Sequence, residues 1–430
     1  MIGPGLTILA SLAVLLLARL WIGFALIAAG LITIFLFQDV PAIKLLAFEA
    51  WNSLNSPVLA ALPLFILMGE ILFASRFPKD LFDGLEPWTR SIPGRLYHIN
   101  ILGCSLFAAV SGSSAATTNT IGRMTLGELA ARGYDRRLAI GSLCGAGTLG
   151  FLIPPSIILI LYGVLAEVSI LDLFLAGILP GVLLSLGFMA YLAVKTRLRP
   201  ELLPEEDKTT VTAGERLRGL LKISPALLLI LAILGSLYLG FASPSEAAVL
   251  GVAGALIISA VKRDLNWRNL KSALLEAVKT VSMIGLILLG ALFLTRVMAY
   301  LEIPGAVAGG IAALGLAPVL LIPVLLIFYI ALGMILDGLS VVVITLPIVL
   351  PLVVAAGFDP LWFGIFLVIT VEMAQVTPPV GFNLFVVQNL TGEPIAMIAR
   401  AAFPFFLIMA AFALLIAVFP GIVTFLPNIL

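Results

Sequence analysis

Two stretches constrain this chain more than any other: Gly145-Ala-Gly-Thr-Leu-Gly-Phe-Leu-Ile-Pro-Pro-Ser156 and Thr370-Val-Glu-Met-Ala-Gln-Val-Thr-Pro-Pro-Val-Gly381. Each places a double proline inside an apolar segment long enough to cross a bilayer. Proline has no N–H, clashes with the carbonyl four residues back and pushes its predecessor out of α geometry. The expected result is a helix that stops near Ile153, and another near Thr377, each restarting with the prolines at its first positions. In hydrocarbon no bulk water satisfies the carbonyls freed before such a break, so cations, protein donors or a wet cavity must do so. One break is compatible with a simple kink. Two in equivalent places point to a working site.

Composition agrees with the membrane setting: 62% of residues are hydrophobic and 11% charged, with a mean hydropathy of +1.21, where a soluble domain carries roughly 25% charged residues. The class is an all-α polytopic membrane protein. A net charge of +1 without a basic stripe gives no case for nucleic acid. Cys104 and Cys144 lie in apolar segments without metal-ligand spacing and read as small core residues, not a disulfide. The single histidine, His98, is placed at a loop edge, so a histidine-based metal site and a general base in the membrane core are both disfavoured. That argues against an enzyme. The N-terminus lacks a basic n-region, and its apolar run reads as mature membrane helix.

Along the chain, the run 6–37 is interrupted only by Arg19-Leu-Trp21 and reads as either two short helices or one long tilted one, with two preferred. A helix over 52–75 and a polar segment over 76–95 follow. Residues 96–131 form two short arms around Ser111-Gly-Ser-Ser114, too short for two crossings, and are read as a re-entrant hairpin. The first broken helix covers 138–163 and a helix covers 173–194. The polar stretch 195–222 is read as a linker between halves. Helices are expected at 223–241, 246–261 and 280–300, with an amphipathic interfacial arm over 262–279. A second hairpin covers 317–356 with its tip at Gly333-Met-Ile-Leu-Asp-Gly338, the second broken helix covers 363–386, and a last helix covers 400–419. The domain layout is thus 1–95 scaffold, 96–194 first repeat core, 195–222 linker, 223–316 second scaffold and 317–430 second repeat core.

Charge supports this layout. If each hairpin enters and leaves on one side, the segments 76–95, 132–137, 195–222 and 262–279 share a face and hold 19 of the 24 basic residues. The opposite loops 164–172, 242–246, 301–316 and 357–362 hold none. The basic face is cytoplasmic by the positive-inside rule. The two hairpins then enter from opposite sides, an inverted repeat. Gly133-Tyr-Asp135 and Gly357-Phe-Asp359 lie the same distance before their double prolines, which pairs Pro154-Pro155 with Pro378-Pro379 and Ser113 with Asp337. Inverted repeats with broken helices are the signature of alternating access around a midplane site. No ATP-binding P-loop is present, so an ion gradient is the expected driving force.

Gly147-Thr-Leu-Gly-Phe-Leu-Ile-Pro-Pro-Ser-Ile157 with Tyr162-Gly163, and Thr377-Pro-Pro-Val-Gly-Phe-Asn-Leu384, resemble the large membrane subunit of TRAP (tripartite ATP-independent periplasmic) transporters, the DctM-like family. Glu372 and the Asp337-Gly338 tip also fit, and the resemblance covers nearly the whole chain. It implies an elevator-type fold of the ion-transporter kind and sodium-coupled symport of an organic acid, such as a dicarboxylate or sialic acid. It also implies no cofactor beyond Na⁺ as coupling ion. The implied partners are a small four-helix membrane subunit, not fused here, and a periplasmic substrate-binding protein. The implied location is the inner membrane of a bacterial or archaeal cell, with the protein multi-pass in the lipid bilayer. A stand-alone anion carrier of the divalent-anion type and a channel-like pore are the alternatives.

The expected first Na⁺ site takes Ser111, Gly112, Ser113 and Ser114 at the tip with Gly145, Gly147, Thr148 and Gly150 at the break. The second takes Gly333, Met334, Asp337 and Gly338 with Glu372, Gln375 and Thr377. Hydroxyl, carbonyl and carboxylate oxygens at these points are hard ligands suited to Na⁺. Helix N-termini at the tips and prolines favour an anionic substrate, for which Thr117, Asn119, Pro154, Pro155, Ser156, Pro378, Pro379 and Asn383 are the candidates.

Overall fold

A computed structural model describes residues 2–38, 40–56, 59–204, 211–306, 309 and 318–429. The run 6–37 is two helices, α1 (Ile2–Leu17) and α2 (Ile22–Phe37), parted at Arg19, which takes a φ of 61°. The single helix expected over 52–75 is instead two pieces, α3 (Ala42–Leu54) and α4 (Ala61–Phe73). Pro57 follows Ser56 in the sequence and disfavours continuing helix into it. The polar segment 76–95 is mostly helical as well: α5 (Phe77–Thr89) turns 70° from α4. Its Phe77, Leu81, Phe82 and Leu85 recur at helical spacing and are buried, which makes it amphipathic.

Next come α6 (Tyr97–Ser111), α7 (Ser114–Ala131), α8 (Arg136–Thr148), α9 (Ile157–Ala166) and α10 (Ile170–Leu198). A 3₁₀ turn at Pro200–Leu202 leads into the linker, of which 205–210 lie outside the described residues. The linker ends at a capping box, in which the Thr212 hydroxyl accepts from the Glu215 N–H while the Glu215 carboxylate accepts from the Thr212 N–H. There α11 (Ala213–Tyr238) starts, well before the expected 223. Ser243 and Glu246 form a second capping box for α12 (Pro244–Val261).

The interfacial arm expected over 262–279 is not a separate element. It is the first part of α13 (Trp267–Tyr300), 34 unbroken residues and about 51 Å long. No proline or glycine occurs between Trp267 and Gly285 to stop it. The following loop, 301–316, lies largely outside the described residues. Then come α14 (Leu321–Gly333), α15 (Gly338–Ala355), α16 (Pro360–Gln375), α17 (Phe382–Thr391), α18 (Ile395–Val418) and an additional short α19 (Gly421–Ile429). Among the described residues, six helices are long and apolar enough to cross a membrane (α10, α11, α12, α13, α15 and α18), or seven if the bent α4–α5 pair is one span.

The set α6–α10 recurs as α14–α18. Ser113 and Asp337, Gly133 and Gly357, and Pro154 and Pro378 are each 224 positions apart. Local geometry repeats with the offset. Ser113 caps α7 as Asp337 caps α15, and Asp135 caps α8 as Asp359 caps α16. Gly133 and Gly357 take φ of 77° and 85°, and both Pro–Pro bonds are cis. Packing is reciprocal too: α7 lies on α17 as α15 lies on α9, and α8 lies on α18 as α16 lies on α10. The α8–α18 pair comes within backbone contact, since a side chain at Gly141 would meet the Ala401 carbonyl and one at Gly145 the Phe405 ring.

The basic segments meet one another. Arg76 pairs with Asp264 at 3.2 Å, Lys262 with Asp80 at 2.7 Å, Lys222 with Asp83 at 2.9 Å and Arg132 with Glu86 at 2.5 Å. Segments 76–95, 132–137 and 262–279 and the described end of 195–222 are thereby gathered on one face.

Candidate functional site

The breaks differ in detail from the expected geometry. In the first, α8 ends at Thr148, a 3₁₀ turn covers Leu149–Phe151, and helix resumes at Ile157. In the second, helix ends at Gln375 and resumes at Phe382. The prolines are therefore inside the breaks and not at the first positions of the restarting helices. A helix start needs an N-cap oxygen, and Ser156, not Ile153 or Pro154, supplies one: its hydroxyl accepts from the Leu159 N–H at 3.4 Å. The same hydroxyl donates to the Phe151 carbonyl at 2.5 Å, so Ser156 closes the first break on itself. The second break ends at Gly381, with φ of 33° and no side-chain cap.

The first tip docks on the first break. Gly112 closes α6 in the left-handed region (φ 59°), where a β-carbon is disfavoured, and its carbonyl accepts from the Ile157 N–H at 3.3 Å. A side chain on Gly112 would lie 2.9 Å from the Pro155 carbonyl oxygen, and one on Gly150 would lie 2.7 Å from the Ser113 carbonyl. Ser111, Gly112, Ser113, Ser114 and Gly150 thus converge with Pro154 and Pro155, which are buried. The Ser111 and Thr117 hydroxyls are 2.9 Å apart, and Ser113 accepts from the Ala116 N–H at 3.4 Å. The other first-site candidates face elsewhere. Gly147 abuts Thr118, while Thr148 donates to the Gly145 carbonyl at 2.8 Å and faces Met409 on α18.

The second tip meets both breaks. Gly338 packs against Phe151 of the first break and Val371, and Gly333 packs against Ala374 just before the second. Met334 ends the first arm and Asp337 starts the other, its carboxylate accepting from the Ser340 N–H at 3.2 Å and from the Ser340 hydroxyl. Glu372 is fully buried, and neither of its carboxylate oxygens has a partner within hydrogen-bond geometry. The backbone amides of Phe151 and Leu152 act on it from just outside that geometry. The Gln375 amide nitrogen and the Asn383 side-chain oxygen are also buried without partners. Thr377 donates to the Met373 carbonyl at 2.7 Å.

Asn383 links the repeats directly, its amide donating to the Ser114 hydroxyl at 2.8 Å. Pro378 and Pro379 are exposed where their counterparts are buried, so the two breaks are unlike in access. Asn119 stands apart from this cluster, accepting from Arg123 at 3.2 Å. Among the described residues no group of three or more His, Cys, Asp or Glu is placed to hold a metal. The oxygens gathered here are carbonyls, hydroxyls and single carboxylates, a set suited to an alkali cation.

Two groups escaped the sequence reading. Ser340, three residues after Asp337, shares its carboxylate. Arg123 lies two turns beyond Thr117 on α7 and, with Thr120 and Lys79, lines a cavity of about 600 Å³ between α5 and α7. A lone cation in a small-residue arm was the available signal. His98 lies at the loop edge, in the first turn of α6, and is buried there, its ring nitrogen 2.6 Å from the Pro93 carbonyl.

A profile described as "Tripartite ATP-independent periplasmic transporter, DctM component" matches residues 9–422. The chain belongs to the DctM family. It is 33% identical to the C4-dicarboxylate TRAP transporter large permease protein DctM of Pseudomonas aeruginosa over 93% of each chain. It is 30% identical to the sialic acid TRAP transporter permease protein SiaT of Haemophilus influenzae, over 88% of this chain and 61% of that protein. The fold is similar to the crystal structure of the Alcanivorax borkumensis YdaH transporter, with a TM-score of 0.64 at 14% identity over 90% of this chain and 88% of the other. This member of the DctM family therefore has the fold of a multi-pass membrane transporter, and the relatives are permease subunits, not enzymes.

Proposed function

We propose that the chain is the solute-translocating subunit of a TRAP system, coupling inward Na⁺ movement to uptake of an organic acid across a bacterial inner membrane. The observation that carries this reading is the interlock of two hairpin tips with two helix breaks across two repeats, through Gly112–Ile157, Gly338–Phe151 and Asn383–Ser114. The first Na⁺ site lies where Ser111, Gly112, Ser113 and Ser114 meet Gly150. Gly145, Gly147 and Thr148 hold α8 in place behind it. The second lies among Met334, Asp337, Gly338, Glu372, Gln375 and Thr377. The starts of α7, α9, α15 and α17 turn the positive ends of helix dipoles toward this centre and favour a carboxylate.

Both hairpins are re-entrant in this reading: their first arms, α6 and α14, at about 22 and 20 Å, are shorter than the ~30 Å hydrocarbon core, and α15, long enough to cross by itself, turns back with the short α14. The α6–α10 and α14–α18 units carry the solute as an elevator against the remaining helices. A small four-helix membrane subunit braces the scaffold, and a periplasmic binding protein delivers the solute. The names of the relatives point to C4-dicarboxylates or sialic acid as the solute class.

The test is uptake into proteoliposomes holding the chain and the small subunit, with and without the binding protein. Uptake that requires the binding protein is expected. Uptake undiminished without the binding protein would establish a stand-alone anion carrier instead.

A further inference from the structure

A second cavity of about 600 Å³ opens on the basic face, away from the tips, between the start of α8, the end of α10 and the start of α18. Arg137, Lys195, Arg199 and Arg400 all line it, against one carboxylate, Asp135. That carboxylate is already engaged, accepting from the Leu138 N–H at 2.8 Å. Among the described residues none of the four cations pairs with a carboxylate; Lys195 rests over the Tyr191 ring at 5.9 Å. Their neighbours on the same face are held by acids, as in Arg136–Glu393 at 2.7 Å and Lys222–Asp83 at 2.9 Å. Four like charges converging on one hollow repel one another unless an anion sits among them.

The surroundings say what kind of anion. On α10 the adjacent stripe is Val194 and Leu198, 54% and 77% exposed, and on α18 it is Phe403 and Leu407, 55% and 49% exposed. In a spanning helix such residues face acyl chains, so the hollow sits where apolar membrane-facing surface meets the cytoplasmic charge layer. Basic pockets between helices at this level suit phosphate headgroups.

We propose that this cavity binds the headgroup of an anionic phospholipid, with the phosphate among Arg137, Lys195, Arg199 and Arg400 and an acyl chain along Val194, Leu198, Phe403 and Leu407. The lipid would tie the first repeat to the last long helix of the second.

The experiment is native mass spectrometry of the delipidated full-length chain titrated with phosphatidylglycerol, phosphatidylcholine or inorganic phosphate. Phosphatidylglycerol should bind in preference to phosphatidylcholine and resist displacement by phosphate. Each cation removed should weaken it about fivefold, so that Arg137→Gln/Arg400→Gln binds roughly twenty- to thirtyfold more weakly. Arg137→Lys/Arg400→Lys should retain most of the affinity, and Arg268→Gln/Lys271→Gln, outside the cavity, should retain all of it. Lys195→Gln gives the same reading at a single position if the double variant does not fold. Phosphatidylglycerol binding unchanged in the glutamine variants would overturn the proposal. So would equal binding of phosphatidylcholine, or ready displacement by phosphate, which would mark a soluble-anion site.

Discussion

At the scale of single residues, the tips and breaks hold together through backbone atoms, and side chains act mainly where they are missing or unpaired. Gly112 is the clearest case, because its left-handed φ and its approach to Pro155 both exclude a β-carbon. Gly112→Ala should cost roughly 2–4 kcal/mol, from the φ penalty and the overpacking together, and should lower the thermal midpoint as it abolishes uptake. Glu372 presents the opposite problem, a fully buried carboxyl group that only the Phe151 and Leu152 backbone amides approach among the described donors. Removing its charge while keeping its shape relieves an unfavourable burial. Glu372→Gln should therefore fold at least as well as the parent, while uptake falls by about tenfold or more because an ion ligand is lost. Unchanged uptake in that variant would reduce Glu372 to a packing residue.

At the scale of elements, the two hairpins start their second arms with different caps, Ser113 and Asp337, on helices of the same length. Alanine at either position should cost about 1 kcal/mol, read by thermal denaturation. Asp337→Asn separates capping from charge: stability should hold, and the Na⁺ concentration for half-maximal uptake should rise. The element boundaries also show what the sequence could and could not reveal. The double prolines, the Gly-x-Asp starts of α8 and α16 and the Ser243 capping box are local chemistry, and each is readable from a few residues. The position of the prolines within the breaks was not, because it depends on which oxygen caps the next helix. The helix α5 hid in a charged segment whose apolar residues recur every three to five positions, and α13 hid its length because its charged end and apolar end differ in composition but not in conformation. Of the candidate site residues, the tips were legible because serine, glycine and aspartate interrupt apolar runs. The pairing of Gly338 with Phe151, and of Asn383 with Ser114, joins residues far apart in sequence and has no local signature.

At the scale of the whole molecule, reciprocal packing of the repeats makes the two site halves parts of one body, and α4 touches that body at the first tip. A side chain at Gly69 would lie 3.2 Å from the Ser111 α-carbon. If α6–α10 and α14–α18 move against α4, Gly69→Ala, whose β-carbon would press on the Ser111 backbone, should slow uptake at a stability cost of about 1–3 kcal/mol; normal uptake would argue that this contact is fixed or absent during transport. The central claim is that the tips and breaks bind Na⁺ and that its gradient drives the solute. It is tested most directly by uptake in proteoliposomes with all three components, under an inward Na⁺ gradient at equal pH and then under a proton gradient without Na⁺. Sodium coupling predicts accumulation in the first case that rises more than linearly with Na⁺ at low concentration, and none in the second. Accumulation indifferent to Na⁺ and collapsing with the proton gradient would contradict it.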